Sequence, residues 1–219
     1  MIQLKIAEKN SVIIDEKEVL RYSGYKNNYL SENEKKLIKT ITEEIQNSLN
    51  CKVCYDRYSI NFEENIRIDL GFTKVISEKL YINLKNCEEI FLFTATIGTK
   101  ADRIIQKYSS VSPAKAIIAQ AAGTAAIERW CDLFCDELKK NNFLRPRFSP
   151  GYGDLDIKIQ KEIFSVLDCE RKIGVTLTDD YLMLPTKSVS AIVGISKNDC
   201  SCILSGCETC EKQCEFRRN

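Results

Sequence analysis

The sequence predicts an α+β fold in which helices pack against a twisted, mainly antiparallel sheet. Alternating apolar residues within 52–72 are typical of two antiparallel strands. Residues 89–98 form a continuous apolar run that ends in glycine, as expected of a central strand buried on both faces. Residues 31–50 and 113–140 carry apolar side chains at helical spacing, which predicts two long helices on the sheet.

Length and composition set limits on the kind of protein. The 219 residues divide into a single domain over 1–196 and a cysteine-rich tail over 197–219. A net charge of +1 gives no overall field to recruit nucleic acid or an anionic membrane. Because no apolar run reaches transmembrane length and the first residues lack the apolar core of a signal peptide, we expect a cytoplasmic protein.

The first third of the chain begins with a weakly alternating segment, residues 2–14, which predicts a strand. Residues 16–22 fit a short helix that ends near Gly24. Ser31 and Glu34 form a capping box that begins a longer helix. The apolar stripe predicted to face the core of that helix is Leu37, Ile38, Ile41, Ile45 and Leu49.

Cys51 and Cys54 form a Cys-x-x-Cys motif at the end of this helix. Redox motifs of this form usually lie at a helix start, where the thiol pKa is lowered. Here the motif leads into the alternating run, so we predict structural thiols. The predicted strands of residues 52–72 are expected to pair with each other.

The middle of the chain predicts a helix over residues 77–84 and the buried strand over 89–98. Ser112 and Pro113 then begin a helix that continues to about Lys140. Its predicted core stripe is Ile127, Trp130, Cys131, Phe134 and Leu138. Beyond residue 155 the pattern predicts a helix over 156–167, then strands over 173–178 and 182–195 that are joined by a turn at Asp179 and Asp180.

Residues 145–154, with the sequence RPRFSPGYGD, combine arginine, proline and glycine. Arg145 and Ser149 each precede a proline, which favours extended backbone, and we expect Arg145 and Arg147 to point to the same side. Gly151 and Gly153 permit positive φ.

Arg147 can bind a carboxylate through two charged hydrogen bonds. Tyr152 can stack on a ligand or donate its hydroxyl. The loop suits a small anionic, partly aromatic ligand. An arginine-bearing surface turn is the alternative.

The chain contains no histidine, which excludes several classes of site. No Ser-His or Cys-His nucleophile pair and no histidine-ligated metal can form. A corrinoid held by a histidine lower ligand cannot be bound here either, so any cobalamin is expected on a partner protein.

The run Arg147-Phe-Ser-Pro-Gly-Tyr152 resembles the Arg-x-x-x-Gly-Tyr signature of the activation domain of cobalamin-dependent methionine synthase. Residues 173–178 and 183–190 resemble later strands of that domain, and residues 19–25 resemble a segment of its free-standing form. The resemblance covers roughly residues 10–196 and is sharpest in the last third of the chain.

This resemblance implies an S-adenosylmethionine site formed by Arg147, Ser149, Gly151 and Tyr152. Glu128 matches a family glutamate that faces the amino group of the ligand. The implied function is reactivation of the methyltransferase by reductive methylation of a partner's oxidised cobalamin, with an electron donor such as flavodoxin or ferredoxin. No residue of the chain is implied as a catalytic acid or base.

The tail contains five of the eleven cysteines, at positions 200, 202, 207, 210 and 214. Cys202, Cys207, Cys210 and Cys214 could bind zinc or an iron–sulfur cluster, and free thiols are the alternative. Two other functions therefore stay open: a thiolate-metal redox or electron-transfer protein, and a non-catalytic partner of a corrinoid protein.

Overall fold

The computed structural model describes residues 1–8, 10–25 and 30–197. Within them the chain forms one α+β domain, which confirms the predicted fold class. The helices are α1 Glu16–Tyr22, α2 Glu32–Ser48, α3 Glu78–Leu84, α4 Thr99–Val111, α5 Pro113–Lys139, α6 Gln160–Leu167 and α7 Cys169–Ile173. The strands are β1 Gln3–Ile6, β2 Lys52–Ser59, β3 Asn61–Phe62, β4 Arg67–Asp69, β5 Lys74–Ile76, β6 Cys87–Thr96, β7 Phe143–Leu144, β8 Thr176–Leu177, β9 Met183–Leu184 and β10 Ser188–Ser196.

A five-stranded sheet in the order β1-β2-β6-β10-β7 is the centre of the domain, and every neighbouring pair is antiparallel. Helices α1, α2, α4 and α5 contribute to the core on one face of the sheet. Helices α3, α6 and α7 and the small β3-β4-β5 sheet contribute to the core on the other face. The strand predicted over residues 89–98 is observed as β6, the middle strand of this sheet. Helices pack on both of its faces, as expected of a strand that is buried on both sides.

The predicted pairing within residues 52–72 is wrong. Strand β2 pairs with β1 and β6, whereas β4 pairs with β3 and β5 in the separate sheet. Strand β2 is eight residues long and pairs along its whole length with the ten-residue strand β6. Ile68 and Leu70 are fully buried in the core on the α3 side of the central sheet. The alternating pattern therefore identifies a strand correctly, but that strand belongs to the small sheet.

Local capping accounts for the helices that the sequence predicts well. Asp15 accepts a hydrogen bond from Lys17 N at the start of α1, and the capping box of Ser31 and Glu34 is present at the start of α2. Pro113 is at the first position of α5. Ser77 begins α3, as predicted for residues 77–84.

Two helices are absent from the sequence-based prediction. Helix α4 follows β6 and buries Ala101 and Ile105, a spacing that is compatible with one helical face. Helix α7 ends at Ile173, the first residue of the strand predicted over residues 173–178. Within that range only Thr176–Leu177 forms a strand, β8. The prediction for 182–195 is correct in part, because the extended chain is divided into β9 and β10.

The run from Met183 to Ser190 holds the beginning of β10 in place. The Ser188 hydroxyl donates to the Pro185 carbonyl at 2.7 Å, and its oxygen lies within hydrogen-bond distance of Thr96 Oγ1, at 2.9 Å. Thr186 donates its backbone N–H to Asp102 of α4 at 2.7 Å. The segment 183–190 therefore connects β10 to β6 and α4.

Cys51 and Cys54 are both buried and free, which agrees with the prediction of structural thiols. Cys51 belongs to one core and Cys54 to the other, so the two thiols of the motif face opposite sides of the sheet. The thiol neighbouring Cys54 is Cys169 of α7, at an Sγ–Sγ distance of 3.9 Å. Among the described residues, no helix has the length and apolar character needed to cross a membrane.

Candidate functional site

Helix α5 holds two carboxylates at the edge of the sheet. Ile127, Trp130 and Cys131 face the core, and the Trp130 indole donates to the Lys52 carbonyl of β2 at 3.1 Å. Glu128 and Asp132 are one helical turn apart and half-buried beside this stripe. The buried stripe therefore fixes the direction in which both carboxylates point.

The loop after β7 brings Arg147 to these carboxylates. Arg147 Nη2 is 2.9 Å from Glu128 Oε2 and 2.8 Å from Asp132 Oδ1. The side chain of Arg147 is 23% exposed, and its Nη1 atom is buried without a hydrogen-bond partner. One guanidinium thus joins two carboxylates and keeps further donor capacity. We refer to Glu128, Asp132 and Arg147 as the acidic triad.

The prediction that Arg145 and Arg147 point to the same side is wrong. Leu144 pairs with Ile195 and Phe148 with Ile192, so one strand has an extra residue between the two pairs. As a result Arg145 lies on the α3 side, where its Nη2 donates to the Lys85 carbonyl at 2.6 Å.

Gly194 makes room for the buried Arg145 side chain. A Cβ atom at residue 194 would be 2.9 Å from Arg145 Cγ and 2.8 Å from Cys87 Sγ, too close for any other residue type. Arg145 itself is 5% exposed. It packs as part of the protein interior, on the other side of the sheet from the acidic triad.

The charge around Arg147 is set by the carboxylates. Cys131 and Cys135 of α5 lie near the guanidinium, but burial raises the pKa of the Cys135 thiol to about 11 and that of Cys131 further, despite the opposing influence of Arg147. Both thiols are therefore protonated at neutral pH. With two carboxylates and one guanidinium, the acidic triad carries a net charge of −1.

The remaining predicted residues follow Arg147 in a tight turn. Ser149 is half-buried, and its carbonyl accepts from Tyr152 N at 3.1 Å. Gly151 has φ of 81° and donates its N–H to the Leu155 carbonyl at 2.9 Å. The Tyr152 ring is 45% exposed and contacts the Phe148 ring edge-on, at 5.3 Å between centroids. As predicted, Arg145 and Ser149 lie outside helices, and Gly151 and Gly153 have positive φ.

The end of the loop is attached to α3 by Asp154. Its carboxylate accepts from Ser77 Oγ at 2.5 Å, from Glu78 N at 2.7 Å and from Lys79 N at 3.3 Å. Burial opposes ionisation, but these hydrogen bonds outweigh it and hold the Asp154 pKa below its usual value. Asp154 therefore acts as a second cap for a helix that is distant in the sequence.

The structure brings Glu128 to Arg147 and places Ser149, Gly151 and Tyr152 on the turn that follows. Asp132 and Asp154 are missing from the sequence-predicted site. For Asp132 a signal exists, because it is one helical turn from Glu128. For Asp154 the sequence holds no signal, since its partners in α3 are 75 to 77 residues away.

The predicted metal ligands Cys202, Cys207, Cys210 and Cys214 lie outside the described residues. Within residues 1–8, 10–25 and 30–197, no group of three or more histidine, cysteine, aspartate or glutamate side chains is arranged to hold a metal ion.

Comparison with protein families gives a match in the second half of the chain. Residues 124–202 match the family model described as "Vitamin B12 dependent methionine synthase, activation domain". Over these residues the resemblance to the activation domain is confirmed. The matched segment includes the acidic triad and the whole loop from Arg145 to Asp154.

A solved structure with a similar fold is the "Crystal Structure of the MetH Reactivation Domain bound to AdoHcy". The TM-score is 0.67 at 14% sequence identity, and the alignment covers 89% of this chain and 78% of the other. The likeness to that reactivation domain shows a shared fold. No curated protein matches the chain in sequence.

Proposed function

We propose that this protein binds S-adenosylmethionine beside the acidic triad and serves the reductive methylation of oxidised cobalamin on a methionine synthase partner. The observation that carries the proposal is the acidic triad itself, which lies inside the segment that matches the activation-domain family model. The shared fold supports it, since the compared reactivation domain is described as bound to AdoHcy.

The charges of the triad suit this ligand. S-adenosylmethionine carries a sulfonium and an ammonium group as well as a carboxylate. Glu128 and Asp132 offer negative charge to the two cationic groups, and the partly exposed guanidinium of Arg147 offers positive charge to the carboxylate. A net charge of −1 favours a ligand whose own net charge is positive.

The turn after Arg147 supplies the remaining contacts in this proposal. The half-exposed ring of Tyr152, supported by Phe148, offers a surface on which an adenine ring can stack. Gly151 leaves the main chain uncovered there, and Ser149 adds a hydroxyl at the start of the turn.

The protein contributes binding and orientation. The chain has no histidine, and nothing in the proposed reaction requires it to act as acid or base. When bound, S-adenosylmethionine would supply the methyl group by cleavage of its S–CH3 bond, leaving S-adenosylhomocysteine (AdoHcy), and the partner's oxidised cobalamin would accept the methyl group together with one electron from a donor such as flavodoxin or ferredoxin. The acidic triad and the loop fix the direction in which the methyl group is presented.

A methyl-transfer assay tests the proposal. Purified chain is mixed with a corrinoid-bearing methionine synthase protein, a low-potential reductant and S-adenosylmethionine labelled on its methyl group. We expect label to appear on the cobalamin only when the chain is present. Equal labelling with and without the chain would contradict the proposal.

The tail and its domain boundary form a separate part of the proposal. We expect residues 1–196 to fold without residues 197–219, and Cys202, Cys207, Cys210 and Cys214 to account for any bound zinc or iron. Elemental analysis of the full chain and of a chain truncated after Ser196 tests both points. Visible absorbance after anaerobic purification would instead favour an iron–sulfur electron-transfer protein.

A further inference from the structure

We propose that Asp154 is a positioning residue for the ligand site, because it clamps the loop after Arg147 to the start of α3. This inference rests on the proposed function for its effect on ligand affinity, whereas the clamp itself rests on the structure. The family signature ends at Tyr152, and nothing in it assigns a role to residue 154.

The loop is attached at two points on either side of the turn that carries Tyr152. At one end Phe148 exchanges two backbone hydrogen bonds with Ile192 of β10, at 2.9 and 2.8 Å. At the other end Asp154 accepts its three hydrogen bonds from the first residues of α3. The five residues between these points are therefore held between the sheet and α3.

The contact with α3 is close as well as polar. Gly153 has φ of 63°, and a Cβ atom there would be 2.8 Å from Lys79 Cδ. Ser77 is 1% exposed, and its Oγ accepts from Leu80 N at 3.0 Å while donating to Asp154. The donors that hold Asp154 are thus themselves fixed by α3.

The ionised carboxylate is what makes the clamp effective. It satisfies the N–H groups of Glu78 and Lys79, which have no partner within the helix, and its negative charge lies at the positive end of α3. An asparagine at residue 154 keeps the shape of the side chain but removes the charge and one acceptor oxygen. Ligand contacts made by the turn depend on such support, since small displacements of a site lower its affinity.

The test uses Asp154→Asn and Ser77→Ala, with Asp180→Asn as the matched control. Asp180 is exposed in the turn before β9, so the same chemical change there removes no contact with α3. Hydrogen–deuterium exchange of residues 147–155 measures the clamp without any ligand. Calorimetry with S-adenosylmethionine measures its effect on the site.

For Asp154→Asn we expect faster exchange in the loop, roughly tenfold weaker binding and a melting temperature lowered by a few degrees, because a charged hydrogen-bond acceptor at the start of α3 is lost. Ser77→Ala should give a smaller effect in the same direction, and Asp180→Asn none. Unchanged loop exchange in Asp154→Asn would overturn the clamp. Faster exchange with unchanged affinity would overturn the positioning role. If the wild type binds no S-adenosylmethionine, the proposed function fails, and the exchange measurement still decides the clamp.

Discussion

Arg145 and Arg147, although separated only by Pro146, extend to opposite faces of the central sheet. Arg145 Nη2 donates to the Lys85 carbonyl at 2.6 Å, and Arg147 Nη2 donates to Glu128 Oε2 at 2.9 Å. The extra residue between Leu144 and Phe148 inverts the alternation of side chains at this point. The two arginines therefore have separable roles, one in the interior and one in the candidate site.

Arg145 should affect stability and leave ligand binding unchanged. Its guanidinium is buried with Nε and Nη1 unpartnered, so Arg145→Met, which fills much of the same volume without a charge, should be at least as stable as the wild type. Arg145→Ala leaves a cavity and should be less stable than Arg145→Met by about 2 kcal/mol. Urea unfolding measures both differences. A less stable Arg145→Met, or a loss of S-adenosylmethionine affinity in it, would argue against this assignment.

The carboxylates of the acidic triad should select for positive charge on the ligand. Glu128→Gln and Asp132→Asn preserve shape, and each should weaken S-adenosylmethionine binding about threefold to tenfold. Both should weaken AdoHcy binding less, because AdoHcy lacks the sulfonium charge. Calorimetry with both ligands measures the ratio, and Asp136→Asn, at an exposed position of the same helix, is the control. Equal losses for the two ligands would contradict selection by charge.

Much of the fold follows from local sequence, and the exceptions have physical causes. Helices α1, α2 and α5 are predictable because Asp15, Ser31 and Pro113 mark their starts within the same few residues. The partners of β2 are not predictable in this way, since alternation identifies a strand but not the distant strand with which it pairs.

The candidate site also combines residues that the sequence identifies with contributions that depend on the tertiary structure. Arg147 and Glu128 are identified from the resemblance, and the structure shows them in contact. The contribution of Asp154 depends on Ser77 and α3, which tertiary folding alone brings close. The orientation of Arg145 depends on a single extra residue opposite β10, which no periodicity reveals.

The Asp154 clamp should have a definite pH dependence. Because hydrogen bonds lower its pKa in the folded protein below the ordinary 3.8, its stabilising effect is fully present above pH 3.8 and is lost as the pH falls through the lower folded value. The difference in unfolding free energy between the wild type and Asp154→Asn should therefore be constant from neutral pH down to weakly acidic pH, then shrink in stronger acid. Unfolding curves at several pH values measure this. A difference that already declines near neutral pH would contradict the assignment.

The structure shows buried thiols that should resist alkylation in the native protein, those of Cys51, Cys54, Cys131 and Cys135. Burial raises the pKa of Cys51 to about 12 and that of Cys135 to about 11, so little thiolate is present at pH 8. Iodoacetamide treatment followed by peptide mass mapping should find Cys51, Cys54, Cys131 and Cys135 unmodified, and modified only after denaturation. Rapid native modification of Cys51 or Cys54 would indicate a reactive motif instead.

The central claim, that S-adenosylmethionine binds beside the acidic triad, is tested most directly by calorimetric titration of the wild type, Arg147→Ala and Arg147→Lys. The matched control is Arg171→Ala, whose side chain is 82% exposed and pairs only locally with Asp168. We expect saturable binding to the wild type and control, and a tenfold to hundredfold loss in Arg147→Ala, equivalent to roughly 1.5–3 kcal/mol. Arg147→Lys should recover part of this loss, because an ammonium cannot make the planar two-point contact. Unchanged affinity in Arg147→Ala, with the wild type binding normally, would show that the loop is a surface turn and the ligand binds elsewhere.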